Sequence, residues 1–184
     1  MIAAVILAAG AGRRMGGPKA LVTLDGETLL RRVARIALAS GCSPVLAVVG
    51  PWDSDLGDLE VQPIFNAEAT EGMASSIRAG IAALPKEVTA ALVLAVDQPA
   101  VDTSLVQRLL ALAMEDPSRP VACAYGGSLG IPALLPRRLF SDLLALRGDH
   151  GAKAILLREN ALTLPFPQAE ADLDTPEDLA RIRR

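Results

Sequence analysis

Aromatic side chains make up only 3% of this 184-residue chain, with one Trp, one Tyr and three Phe. So few rings exclude the stacking platform on which single-stranded nucleic acids are held. They also leave the core to Ala, Val, Leu and Ile, within a hydrophobic fraction of 51%. A basic surface is missing as well: the formal net charge is −3, the wrong sign for neutralising a phosphate backbone. The two cysteines, Cys42 and Cys123, lie far apart in apolar contexts. They fit neither a disulfide framework nor a metal-ligand spacing and read as buried thiols of a reducing compartment. The single histidine, His150, has no triad or zinc cluster near it and is expected at the surface. No apolar run approaches the roughly 18 residues of a membrane span. No basic region precedes the apolar start and arginines follow it at once, which does not suit a signal peptide. The expectation is a cytoplasmic protein with neither membrane nor nucleic acid as partner. The length suits one domain over residues 1–184, able to bury roughly 70% of its unfolded surface.

What the chain does have is concentrated at its start. Ile2 to Leu7 is a short apolar run that reads as a strand buried on both faces. It stops at Ala8-Ala9-Gly10, and the stretch through Gly12, Gly16 and Gly17 carries Arg13, Arg14 and Lys19. Small residues let the main chain approach a ligand closely and aim several N–H groups at one place. Free amides and cations just beyond a strand make a phosphate-binding loop. It is not the Walker loop, because Pro18-Lys19-Ala20 lacks the glycine and the hydroxyl. Nor is it the dinucleotide fingerprint: Gly10, Gly12 and Gly16 are spaced G-x-G-x-x-x-G, and Val45 to Val49 ends in Gly50-Pro51 instead of an acid.

The run Leu7-Ala8-Ala9-Gly10-Ala11-Gly12-Arg13-Arg14-Met15-Gly16-Gly17-Pro18-Lys19 resembles the signature L-A-x-G-x-G-x-R-M-x-x-x-K. That signature belongs to the nucleotidyltransferases with a glycosyltransferase-A-like fold. Within them the chain is most similar to the molybdenum cofactor cytidylyltransferase branch; the guanylyltransferase branch usually carries glycine where Ala9 stands. The resemblance covers nearly the whole chain. It implies a three-layer α/β/α, Rossmann-like fold around a mostly parallel mixed sheet. It also implies that the loop backbone from Leu7 and Ala8 to Gly12, with Arg13, holds the triphosphate, and that Lys19 neutralises charge at the α-phosphate.

Further along, strands and helices alternate as in a parallel α/β sheet. A helix is expected from about Glu27 to Ala39, strands at Val45 to Val49, Val61 to Phe65, Ala90 to Val96 and Leu162 to Phe166, and a helix over Thr103 to Met114. Gly72-Met73-Ala74-Ser75-Ser76 opens another helix; its small residues suit either close packing on the sheet or a ligand at the helix start. The family carries a similar G-M-x-x-S segment beside base and ribose, which makes Gly72, Ser75 and Ser76 nucleotide contacts by resemblance. Asp97, in Asp97-Gln98-Pro99, ends the most apolar strand, where open α/β sheets bind ligands, and is the expected Mg²⁺ ligand. It matches the family's D-x-P motif. Tyr125 to Pro132 reads as a flexible glycine-rich stretch; Gly130-Ile131-Pro132 departs from the family's G-H-P and loses a polar group facing the second substrate. Asp149 is placed to cap a helix running to about Arg158, with Lys153 in its first turn. Thr175-Pro176-Glu177-Asp178 is a helix start. Asp172 and Asp174 alternate around Leu173 and so point the same way. In the family such a segment completes the metal site, so Asp97, Asp172 and Asp174 would together clamp one Mg²⁺.

Acids, one metal and a cationic glycine loop without a nucleophilic triad fit direct displacement at phosphorus. An acceptor phosphate is already an anion and needs no general base; catalysis by Lys19, Arg13, Asp97 and the metal reduces to positioning and charge neutralisation. By resemblance, the substrates are CTP, or another NTP, and molybdopterin, the product is its cytosine dinucleotide, and a molybdenum hydroxylase is the client. Two other roles fit the same residues: a cytidylyltransferase or pyrophosphorylase acting on a sugar or polyol phosphate, and a nucleotide-binding chaperone that delivers the cofactor.

Overall fold

The computed structural model describes residues 1–170 and 172–182. The N-terminal run forms strand β1 (Ile2–Ala8), an interior strand of a seven-stranded sheet. The remaining strands are β2 (Thr23–Leu24), β3 (Glu27–Thr28), β4 (Val45–Val49), β5 (Val61–Phe65), β6 (Ala90–Ala95), β7 (Val121–Tyr125), β8 (Ser128–Pro136) and β9 (Leu162–Pro165). The sheet runs β5-β4-β1-β6-β8-β7-β9, with β2 and β3 as a separate small ribbon. β4 and β6 flank β1 in parallel, β5 continues parallel to β4, and β9 runs parallel to β7. Only β8 is antiparallel to its neighbours, β6 and β7. The expected mostly parallel mixed sheet is what forms.

Alternation along β1 builds the two halves of the core. Ala4, Ile6 and Ala8 face one side with helices α1 (Leu29–Ala39) and α3 (Thr103–Ala113). Ala3, Val5, Leu7 and Ala9 face the other with α2 (Met73–Ala82), α4 (Phe140–Leu144) and α5 (Lys153–Arg158). The strand is apolar on both faces because helices cover both, giving the three layers. The last helix is α6 (Pro176–Ile182). Among the described residues no helix is long and apolar enough to cross a membrane.

Three local expectations are corrected. Helix α1 starts at Leu29, not Glu27, because Glu27–Thr28 pairs with Thr23–Leu24 and the Thr28 hydroxyl then caps the helix, accepting from Arg31 N at 3.3 Å. The stretch Tyr125 to Pro132 is no flexible loop: Gly126 and Gly127 turn the chain and β8 returns against β7. Glycine there supplies the positive φ of a tight hairpin. Asp149 does not cap α5, which begins later, at Lys153. By contrast the Thr175 start forms as read: Asp178 Oδ2 accepts from Thr175 N and from its hydroxyl, both at 2.9 Å. That is a capping box closed by aspartate.

Candidate active site

β1 has β4 on one side and β6 on the other, so the chain reverses its direction of travel across the sheet at that point. Crevices at the carboxyl ends of such strands are where open α/β sheets take ligands. Here the register Leu7↔Ala95 sets the glycine loop and Asp97 side by side just past the two strand ends. The loop coils about one carbonyl: Gly12 O accepts from Met15 N at 2.9 Å and from Gly17 N at 3.2 Å. Gly12 holds φ 56°, and a Cβ there would fall 1.9 Å from the Gly17 carbonyl oxygen, so only glycine fits. Among the described residues the N–H groups of Gly10, Ala11 and Gly12 bond to nothing in the chain.

Below this loop lies a cavity of about 330 Å³, lined among others by Ala9, Lys19, Ser76, Asp97 and Asp172. Lys19 is its hub. Its Nζ donates to Asp97 Oδ2 at 2.9 Å and to Asp174 Oδ1 at 2.5 Å. Burial works to lower the Lys19 pKa, but the bonds to Asp174 and the Asp97 charge outweigh it, and the ammonium is held above its ordinary value. The other Asp174 oxygen meets Arg14 Nη2 at 2.9 Å. Bonding to Lys19 accordingly holds the Asp174 carboxyl below the usual carboxylate range. Leu173, wholly buried, donates its N–H to Asp97 O at 2.8 Å, which fastens the 172–174 segment to the end of β6.

Asp172 has the opposite balance. Its side chain still meets solvent, but burial of the carboxyl against the cavity wall, reinforced by the Asp97 charge, pushes its pKa up to about 6. Two carboxylates repelling one another beside a phosphate loop are the donor set that Mg²⁺ uses, since it takes one or two carboxylates and completes its shell with phosphate oxygens and water. Among the described residues no three His, Cys, Asp or Glu side chains form a ready cage. The structure brings Asp97, Asp172 and Asp174 together, yet Asp174 spends both oxygens on cations, leaving Asp97 and Asp172 as the pair that suits a metal.

The two serines separate. Ser75 Oγ donates to Gly72 O at 2.8 Å and accepts from Asn66 Nδ2 at 2.9 Å, and it does not face the cavity. Ser76 accepts from the same Asn66 amide at 3.1 Å but lines the cavity. Gly72 lines it too, and Leu7 and Gly10 complete the loop wall. Ala8 points away, into the core beside α1. Arg13 is exposed on an adjoining cavity and makes no ion pair among the described residues. Lys153 and His150 are exposed and line neither cavity.

Several residues of the site escaped the sequence reading. Asn66 follows an apolar strand, the same signal that singled out Asp97, but a neutral amide drew no attention. Gln98 is buried, and its Nε2 donates to Ile131 O at 3.1 Å, as does the Tyr125 hydroxyl. Ile131 thus joins the cavity wall. Asp149 reaches across to accept from Met73 N at 3.4 Å and lines both cavities.

The sequence pattern of the MobA-like NTP transferase domain matches residues 4–162. This chain belongs to that family. In this NTP transferase the matched span takes in the glycine loop, Lys19, Asp97 and Asp149, while Asp172 and Asp174 follow it. The chain is 36% identical to molybdenum cofactor guanylyltransferase of Rhodobacter capsulatus, over 98% of its own length and 94% of that protein. It is 32% identical to nicotine blue oxidoreductase of Paenarthrobacter nicotinovorans, covering 98% and 96%. A Mycobacterium tuberculosis protein solved in complex with manganese shares the fold with a TM-score of 0.75 and 24% identity, over 98% of this chain and 97% of that one.

Proposed function

We propose that this NTP transferase moves CMP from CTP to the phosphate of molybdopterin-type acceptors and releases pyrophosphate. The observation that carries the reading is Lys19, an ammonium held between Asp97 and Asp174 directly beneath a loop with free amides. The amides of Gly10, Ala11 and Gly12 would hold the triphosphate, with Arg13 screening its outer end. Lys19, aimed by Asp174 and Arg14, would offset the charge that builds at the α-phosphate as the acceptor oxygen attacks and pyrophosphate leaves. Mg²⁺ held by Asp97 and Asp172 would supply further charge compensation to the phosphate oxygens. The choice of CTP rests on Ala9, whose methyl group lines the cavity and takes room a purine would need.

A relative named guanylyltransferase at 36% identity favours GTP as the second reading. Pyrophosphate release from each of the four NTPs, with molybdopterin and with a panel of sugar and polyol phosphates, separates these. Release only with CTP and molybdopterin is expected. Release with GTP would replace the base, release with a sugar phosphate would replace the acceptor, and no release with any pair would remove the enzymatic reading.

A further inference from the structure

On the nucleotidyl-transfer reading above, we propose that the Lys19 ammonium blocks the metal position in the free protein and leaves it only for a triphosphate. The divalent cation then enters together with the nucleotide, and the site stays shut to the metal alone. Lys19 Nζ lies 2.9 Å from Asp97 Oδ2, on one of the two carboxylates suited to the metal. The second of them, Asp172, feels the same charge. Asp174, which could add a third carboxylate, has one oxygen on Lys19 and the other on Arg14. The free site has thus placed a cation of its own against Asp97, and a divalent ion approaching that side chain meets it at a few ångströms. Like charges so close, in a half-buried place, repel with little screening.

The charges around the site agree. Asp97, Asp172 and Asp174 face Lys19 and Arg14, which leaves one negative charge uncompensated. One excess charge, with Asp97 already occupied, is a poor site for Mg²⁺, which sheds its water reluctantly. Once a phosphate takes up the Lys19 charge, the excess is two, the charge of the metal. The metal-binding oxygen of Asp97 is freed by the same movement.

Lys19 can give way without disturbing the fold. Its main chain is anchored: Ala20 is wholly buried, and Val22 N donates to Lys19 O at 3.1 Å. Only the side chain needs to turn, a flexible four-carbon stem with three donors. Gly10, Gly12, Lys19 and Asp97 line one cavity, so the loop amides and the carboxylate lie on either side of the same ammonium. Asp174 can keep its bond while the stem swings from Asp97 towards the loop. A ligand moves such an equilibrium only by binding one arrangement better, and a triphosphate does so through the freed ammonium.

The test titrates Mn²⁺ into the full chain and follows water-proton relaxation, which rises when the ion is held on a slowly tumbling protein. Mn²⁺ suits carboxylates as Mg²⁺ does. Wild type should hold Mn²⁺ about tenfold or more tightly with CTP than without it. Because CTP brings phosphate ligands of its own, the variants isolate Lys19. Lys19→Met, which keeps the stem and drops the charge, should bind Mn²⁺ alone about tenfold or more tightly than wild type does. Lys19→Ala repeats that arm should Lys19→Met not fold. Adding Asp97→Asn to either variant should remove the gain. Equal Mn²⁺ affinity with and without CTP in the wild type would overturn the proposal. So would a folded Lys19 variant with wild-type affinity for Mn²⁺ alone, or a gain that survives Asp97→Asn. Absence of pyrophosphate release alongside the expected Mn²⁺ binding would instead strike the transfer reading and leave the coupling of metal to nucleotide standing.

Discussion

Lys19 concentrates the chemistry at the residue scale, because both of its carboxylate partners come from distant parts of the chain. Its charge matters most as negative charge builds on the transferring phosphate, so Lys19→Ala should lower kcat more than nucleotide affinity. The expected loss is about 10²-fold or more, as for deletion of one preorganised electrostatic donor. Steady-state kinetics with saturating NTP would check it, and an unchanged kcat would take Lys19 out of the reaction. Ala9 tests base size in the same way. One methyl group shifts preference by about 1–3 kcal/mol, or 10–200-fold, so Ala9→Gly should relax the preference for CTP over GTP without reversing it. The ratio of kcat/KM for the two nucleotides measures this. A wild type that prefers GTP would show that the alanine does not choose the base.

Among the elements, the glycine loop is the least tolerant of change. Its turn depends on Gly12 at positive φ with the Gly17 carbonyl occupying the space of a side chain. Gly12→Ala must therefore unwind the loop, while β1 and the core beneath it stay as they are. Nucleotide affinity should fall at least about tenfold, as expected when the main-chain donors of an anion site lose their alignment. Thermal unfolding should change far less, and calorimetry beside a melting curve would show the split. A large loss of stability with intact binding would mean the loop is structural. The β7–β8 hairpin makes a related point about legibility. Its glycines read as looseness in the sequence, yet antiparallel pairing to β7, and of its second strand to β6, orders it. Pairing partners far along the chain overrode the local signal.

Over the whole molecule, the carboxylates divide by pH. Asp172 keeps its proton up to about pH 6 when folded, above the ordinary value of an unfolded aspartate. The folded state thus binds the extra proton between roughly pH 4 and pH 6, and stability from this group falls as pH rises through that window. The remaining shifted acids act in the other direction. Arg78 and the Gly148 N–H hold Glu71 down at about 2, and Glu27, Glu159, Asp174 and Asp178 are likewise held below their ordinary values by their partners. Their stabilisation is complete above their unfolded values and is lost only as pH drops below about 4. Without metal or nucleotide, Tm should therefore rise on going from pH 7 to pH 5 and fall below pH 4. Asp172→Asn should abolish the rise and keep the fall. Differential scanning calorimetry across that range checks both signs, and a rise that persists in the variant would assign it to another group.

By itself the sequence determined the parallel strands of the sheet, the phosphate loop and the acid at the end of β6. Each is written in neighbouring residues: an apolar run of strand length, glycines among cations, a carboxylate where such a run stops. Asp172 and Asp174 were legible as a pair because their spacing around Leu173 sets them on one face. Their unequal roles were not. That Asp174 serves Lys19 while Asp172 is left facing Asp97 depends on contacts across up to 155 residues of chain. The same holds for Asp149, which the local pattern read as a helix cap and the fold turned into the wall of two cavities. Local patterns specify backbone conformation and burial, whose periods repeat within a few residues. A charge takes its role from the groups that face it, and only tertiary packing chooses those.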